Sequence, residues 1–238
     1  MRLEQLFEQL NHFMSGSTVS DHRAVISVLL DILMIFSRNN LKSELLKELD
    51  RHSKTLNLIS NSQGVDSDKL NQILSNLKAI SKKLYDTNGK IGSKVMESDL
   101  FQSISQRSSI PGGSCSFDLP AFHYWLEQDK ETQQLDLLQW TEPLDNIREA
   151  IELILSFIRQ SSLPTQELAT SGFFQLSLDK SQPFQLIRVA TDPTLPLFAE
   201  ISGGKHRFTI RFMAPSSGIV RPYQITENVP FSLTCCIF

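Results

Sequence analysis

The sequence has few of the features that mark secreted or membrane proteins. Its three cysteines, two of them adjacent at Cys235-Cys236, do not form a disulfide framework and predict a reducing, cytoplasmic compartment. The most apolar run, residues 24–36, contains Asp31. At about 13 residues it is shorter than the roughly 20 that span a bilayer, so we expect a buried helix and no membrane insertion. Nothing at the N-terminus resembles a signal peptide.

Strong charge and cofactor motifs are also missing. The formal net charge is −3, which argues against a module that binds nucleic acid. No Cys-x-x-Cys or His-x-x-x-His spacing suggests a zinc site, and the glycines lack the Gly-Lys-Ser/Thr sequence of a phosphate-binding loop. We therefore expect no metal and no cofactor.

The hydrophobic periodicity changes once along the chain. Leu3, Leu6, Phe7 and Leu10 recur at helical spacing, and helices are predicted at residues 24–36, 43–58, 66–84, 93–106, 120–126 and 141–160. From about residue 170 apolar residues alternate with polar ones, and Gly203-Gly204 marks a hairpin turn. The predicted fold is α+β: an all-helical domain over residues 1–165, then a small antiparallel β domain over residues 166–238.

A glycine-rich loop joins the two halves and carries a thiol. In Gly112-Gly113-Ser114-Cys115-Ser116, Cys115 could pair with His123 as the nucleophile of a thiol enzyme. The preferred interpretation is structural: Cys115 is a small buried residue, and the glycines allow a turn into an extended segment over residues 115–119. For Cys235-Cys236, adjacent strand positions predict one buried and one exposed thiol rather than a metal site.

The β domain carries a basic strand face. Lys205, Arg207 and Arg211 share one face of a strand whose other face is apolar, and no acid occurs between Ile201 and Thr226. Arg207 and Arg211 would be roughly 13 Å apart at about 3.3 Å per residue. This spacing suits an extended peptide with several carboxylates, which arginine binds well. The alternatives are a solvated face or a sheet edge protected by charge.

Four segments resemble the ZapD family of bacterial cell division proteins. They are Ser43–Arg51, Ser109–Pro120 with His123, Arg207–Met213, and the closing Leu233–Cys236, in family order over nearly the whole chain. The resemblance implies a helical domain followed by a β domain, a homodimer formed through the helical part, and no enzyme activity. It implies a cytoplasmic division factor, located at mid-cell, that binds the C-terminal tail of FtsZ, the bacterial tubulin homologue. Two basic pockets per dimer would cross-link FtsZ protofilaments into bundles.

The resemblance also assigns candidate site residues. Arg207, Arg211 and Arg38 match the tail-binding basic positions of the family, and Arg2 and His123 match positions linked to bundling. Lys205 is added from the strand-face argument alone. These roles leave Cys115 and the loop glycines structural. Family members usually start before the first helix, whereas Met1–Glu4 falls inside it, so we expect a truncated or misassigned start.

Overall fold

The computed structural model describes residues 1–38, 40–58, 60, 66–87, 92–204, 206–216 and 221–237. Helices occupy the first part of the chain and antiparallel strands the second, so the predicted α+β fold is confirmed. The chain divides into two compact units, Met1–Ile154 and Leu155–Phe238, here called the helical unit and the strand unit. The predicted domain boundary after residue 165 stays a prediction.

The helices follow the predicted amphipathic stripes. They are α1 (Arg2–Met14), α2 (Val19–Arg38), α3 (Leu41–Leu58), α4 (Ser67–Asp86), α5 (Ser93–Met96), α6 (Asp99–Arg107), α7 (Pro120–Leu126), α8 (Lys130–Thr141) and α9 (Asp145–Gln160). Pro120 opens α7, as expected of a residue without a backbone donor. Asp66 caps α4 by accepting from the backbone N–H groups of Asp68 and Lys69.

The core of the helical unit is centred on α2. This helix packs against α1 and α8, while α3 packs against α4. Its buried apolar residues are Val25, Ile26, Val28, Leu29, Leu30, Ile32, Leu33 and Phe36. None of the helices in the described ranges is long and apolar enough to cross a membrane.

Four helix predictions were wrong in detail. The last helix begins at Asp145 and not at Thr141, because Thr141 is the final residue of α8. The third helix begins at Leu41 and not at Ser43, so Ser43 lies inside its first turn. The predicted helix over 93–106 is two helices, because Ser98 has extended backbone dihedrals. Helix α8 was missed, because its leucine Leu135 is exposed and its Gln133 is buried, the reverse of the usual pattern.

The strands of the second unit form two antiparallel sheets. They are β1 (Thr165–Ala169), β2 (Phe173–Ser177), β3 (Phe184–Ala190), β4 (Phe198–Gly204), β5 (Arg207–Ala214), β6 (Tyr223–Gln224) and β7 (Val229–Ile237). Sheet A has the order β1-β7-β3, and sheet B has the order β2-β5-β4, with β6 paired to the end of β5. Gly203 and Gly204 are the last residues of β4 and pair with Phe208 and Arg207, so the hairpin connection follows them.

The two sheets share one apolar core. Its fully buried members are Ala169, Val229, Phe231 and Leu233 from sheet A and Phe208, Ile210 and Phe212 from sheet B. Gly172 lies at the corner between β1 and β2 with a φ of +65°, and a Cβ there would be 2.4 Å from the carbonyl oxygen of Ile225. Only glycine fits this position, which brings β2 against the segment before β7.

Candidate partner-binding face

Along strand β5, buried apolar side chains alternate with exposed or partly exposed polar ones. Phe208, Ile210 and Phe212 are buried, whereas Arg207 and Arg211 are exposed on the opposite face. Because side chains of a strand point alternately to its two sides, an apolar core on one face leaves both guanidinium groups on the outer face of sheet B. The two arginines therefore share one face of the strand, as predicted.

Neither arginine is neutralised by another residue in the described part of the chain. Arg207 lies opposite Gly204, and Arg211 lies opposite Glu200. Nonetheless, within the described ranges neither guanidinium makes an ion pair or a hydrogen bond, with Glu200 or with any other residue. Two exposed positive charges therefore remain available on this face, solvated by water in the free protein.

A shallow groove runs beside Arg211. It has a volume of about 470 Å³ and is lined by Glu200, Ile201, Ser202, Thr209 and Arg211. The outer face also has apolar positions. Phe173 on β2 lies directly opposite Arg211 on β5 and is 38% exposed. Phe198 on β4 is 39% exposed. The face can therefore offer both cations for carboxylates and partly exposed rings for apolar side chains.

The other predicted site residues lie on separate helices. Arg2 is exposed at the start of α1. His123 is exposed on α7, and its Nδ1 is 3.9 Å from Oε1 of Glu127, close enough for an ion pair when the ring is protonated. Arg38 is the last residue of α2, but its side chain is not described. Lys205 lies outside the described residues. The roles of all six residues remain predictions.

The glycine-rich loop differs from its predicted form. Residues 115–119 form turns and not an extended segment, and Cys115 is exposed and not buried. The Sγ of Cys115 donates to Oδ2 of Asp118 at 3.4 Å, and Oδ1 of Asp118 accepts from Arg107 Nη1 at 3.0 Å. A Cβ on Gly113 would be 2.6 Å from the carbonyl oxygen of Arg107, so a glycine is needed where the turn approaches α6.

The thiol groups are not arranged as a catalytic pair. In the described part of the chain, no hydrogen bond joins Cys115 to His123, whose ring instead lies 3.9 Å from the carboxylate of Glu127. The predicted split of Cys235 and Cys236 was wrong, because Cys236 is fully buried and Cys235 is half-buried against the core. Burial raises the pKa of both thiols, which keeps them protonated and unreactive at neutral pH.

One buried polar network is not predictable from the sequence pattern. His22 on α2 and Gln133 on α8 are 2% and 3% exposed, and the Nδ1 of His22 bonds to the Oε1 of Gln133. Gln133 Nε2 donates to the carbonyl oxygens of Trp125, Leu126 and Gln128 at 2.9–3.1 Å. Because the amide oxygen can only accept, His22 carries its proton on Nδ1. The network fixes the end of α7, the helix that carries His123.

Known proteins resemble this chain over its full length. The sequence profile of the ZapD family, described as a cell division protein, matches residues 1–211. A cell division protein ZapD from Methylococcus capsulatus is 47% identical over 237 residues, which cover 100% of this chain and 92% of that protein. Those from Nitrosomonas eutropha and Chromobacterium violaceum are 36% and 35% identical, covering 99% and 100% of this chain and 93% and 94% of theirs.

This chain therefore belongs to the ZapD family of cell division proteins. The family resemblance found in the four sequence segments is confirmed, and the chain has a role in cell division. Its relatives are named for division and not for a reaction, which fits a protein without enzyme activity.

Proposed function

We propose that this protein is a non-enzymatic, cytoplasmic division factor that binds the C-terminal tail of FtsZ and cross-links FtsZ protofilaments at mid-cell. The observation that supports this proposal is the outer face of sheet B, where Arg207 and Arg211 are exposed and lack partners within the described residues. Arginine binds carboxylates through two parallel hydrogen bonds, so two such groups on one strand suit an acidic, extended peptide.

Cross-linking requires two such faces in one particle. We propose that the chain forms a homodimer through its helical unit, so that each dimer carries two tail-binding faces. A filament presents many tails, and a dimer that holds one tail finds the next at high effective concentration. Individually weak sites are then sufficient for bundling, and because the contacts are between charges, bundling should weaken as salt is raised.

The helical unit contributes further basic groups in this proposal. Arg2, Arg38 and His123 belong to it, and Lys205, which lies outside the described residues, is included from the sequence pattern alone. We assign the primary tail contacts to Arg207 and Arg211, because these two share one strand face, and supporting roles to the other four. Exchanging each supporting residue for alanine should therefore weaken bundling less than the same change at Arg211.

Co-sedimentation with FtsZ filaments tests the proposal directly. The protein should pellet with filaments of full-length FtsZ and remain in the supernatant with filaments that lack the C-terminal tail. Equal pelleting with both filaments would show that the tail is not the ligand. Absence from both pellets would show that the chain does not bind FtsZ filaments.

A further inference from the structure

The strand next to the arginines is an edge of sheet B. Strand β4 pairs with β5, and no other strand in the described part of the strand unit pairs with it. On β5, the backbone N–H of Phe212 donates to Gly172 and its carbonyl accepts from Ile225, so Phe212 bonds away from β4. Because bonding direction alternates along a strand, Ile210 and Phe208 also bond away from β4.

The same alternation identifies the free groups of β4. Ala199, Ile201 and Gly203 lie opposite Phe212, Ile210 and Phe208, so their own N–H and C=O groups point to the open side. Within the described ranges, none of them has a backbone hydrogen bond on that side. Three residues therefore present a row of donors and acceptors to a further strand.

This edge has little protection against strand addition. Natural edges are usually short or carry lysine, proline or a bulge. Strand β4 is seven residues long, contains neither lysine nor proline, and pairs with β5 without a break in register. Ile201 is 46% exposed at the rim of the core, and Gly203 and Gly204 place no side chains in the way. An edge of this kind can bind an extended peptide as an additional strand.

The arginines lie within reach of such a peptide. An added strand would lie about 4.8 Å from β4 and roughly twice that from β5. Alternate side chains of the added strand would project over the outer face, above the groove lined by Ser202, Thr209 and Arg211. An arginine side chain on β5 and a glutamate or aspartate side chain on the added strand are together long enough to meet across the separation between the two strands. The remaining side chains would project over Ile201 on the inner face.

We propose that the acidic peptide binds by adding a strand to the free edge of β4, with its carboxylates turned toward Arg207 and Arg211. This inference rests on the proposed function and specifies how the same face holds its ligand. Main-chain hydrogen bonds to Ala199, Ile201 and Gly203 supply affinity, and the arginines select acidic side chains. Glu200 on the outer face repels a carboxylate directly beside it, so the acids belong next to Ser202 and Gly204, and an apolar residue belongs beside Ile201.

Backbone methylation of the ligand tests this mode on the unaltered protein. A synthetic FtsZ tail peptide is N-methylated at one residue at a time, and each affinity is measured by calorimetry. Strand addition predicts an alternating pattern: methylation of every second residue in the bound core weakens binding at least tenfold, and methylation of the residues between them changes it less than threefold. Tight binding without alternation would overturn strand addition and leave the proposed function standing. Absence of binding by the unmethylated peptide would overturn both.

A variant pair gives the complementary test on the protein. Ile201→Pro removes the outward N–H, and Ile201→Val keeps it with a side chain of similar size. Proline is tolerated on a free edge, and the melting temperatures of both variants would verify that they fold. The proline variant should bind the tail peptide at least tenfold more weakly than the valine variant. Equal affinity of two folded variants would contradict the proposal.

Hydrogen exchange distinguishes a second copy of the chain as the occupant. The amides of Ala199 and Ile201 should exchange rapidly in the free protein and become protected when the tail peptide binds. Protection that instead grows with protein concentration in the absence of peptide would show that β4 pairs with another copy of this chain, and would overturn the proposal.

Discussion

The loop between α6 and α7 and the outer face of sheet B both carry exposed polar groups, but these groups find partners in different places. In the loop, Asp118 accepts from both Arg107 and Cys115. On the sheet, Arg207 and Arg211 have no ionic or hydrogen-bonded partner among the described residues. The loop, which looks reactive in sequence, uses its polar groups to hold its own turns. The sheet face keeps its charges available for another molecule.

We expect substitutions of these two kinds of polar group to have different effects. A group that is bonded within the chain should cost folding stability when it is removed. A group without a partner in the chain should cost binding and leave the fold intact.

Charge reversal of both arginines should have the largest effect. Arg207→Glu with Arg211→Glu should weaken binding of the FtsZ tail peptide about 100-fold or more and abolish bundling, because charge-assisted hydrogen bonds contribute about 1.5–3 kcal/mol each. The melting temperature should stay within about 2 °C, because both side chains are exposed. Calorimetry and light scattering of FtsZ filaments measure the two effects.

A matched charge change controls for net charge. Lys180→Glu alters the formal charge by as much as Arg211→Glu, and Lys180 is exposed in the turn after β2. Lys180→Glu should change tail affinity by no more than about threefold in low salt. If it weakens binding as much as Arg211→Glu does, then the overall charge and not the arginine face governs binding.

Removal of a bonded group from the helical unit should give the opposite result. Gln133→Leu removes the buried partner of His22 Nδ1 and of the carbonyl oxygens of Leu126 and Gln128, while the carbonyl of Trp125 still accepts from the backbone N–H of Gln128. Unfolding in urea should show a loss of about 3 kcal/mol, while the affinity of the folded protein for tail peptide stays within threefold. Gln139→Leu, the same change at an exposed position of α8, should alter stability by less than about 0.5 kcal/mol. Similar losses in both variants would contradict a special role for the network.

A buried histidine predicts a pH dependence. Burial lowers the pKa of His52 to about 4 from its usual 6.5. Between these values the unfolded chain binds a proton that the folded chain does not, so stability should fall as the pH is lowered from 7 toward 4. The loss should be roughly 2 kcal/mol at pH 4.5. His52→Leu should reduce this pH slope in urea titrations, and an unchanged slope would show that other groups are responsible.

The smallest effect is expected at the loop thiol. Cys115→Ser should leave FtsZ bundling unchanged, because Cys115 has no bond to His123 in the described structure and belongs to the loop's own turns. With a disulfide reagent at neutral pH, the native protein should show one fast thiol, Cys115, and two slow ones, Cys235 and Cys236, whose pKa values are raised by burial. Loss of bundling in the serine variant would show that the loop, and not only the outer face of sheet B, takes part in binding.

Patterns that depend on near neighbours in the chain could be predicted from the sequence. The helical stripe of α1, the start of α7 at Pro120 and the alternation along β5 were all predicted, because side-chain direction repeats every 3.6 residues in a helix and every two in a strand. The same local rule placed Arg207 and Arg211 together on one face. The family was also recognisable, because its motifs are contiguous segments.

Features that depend on distant residues required the tertiary structure. Helix α8 buries Gln133 because its side chain bonds to His22 and to the end of α7. His22 is 111 residues away in the sequence, whereas the end of α7 is only a few residues away. Cys236 is buried on the sheet face opposite Cys235, with Arg159 and Arg188 close enough to affect its pKa. Sequence alternation distinguishes the two faces of a strand but carries no information about what covers each face. Only strand order made β4 an edge beside the arginines, since an edge is defined by the absence of a neighbouring strand and not by its own residues.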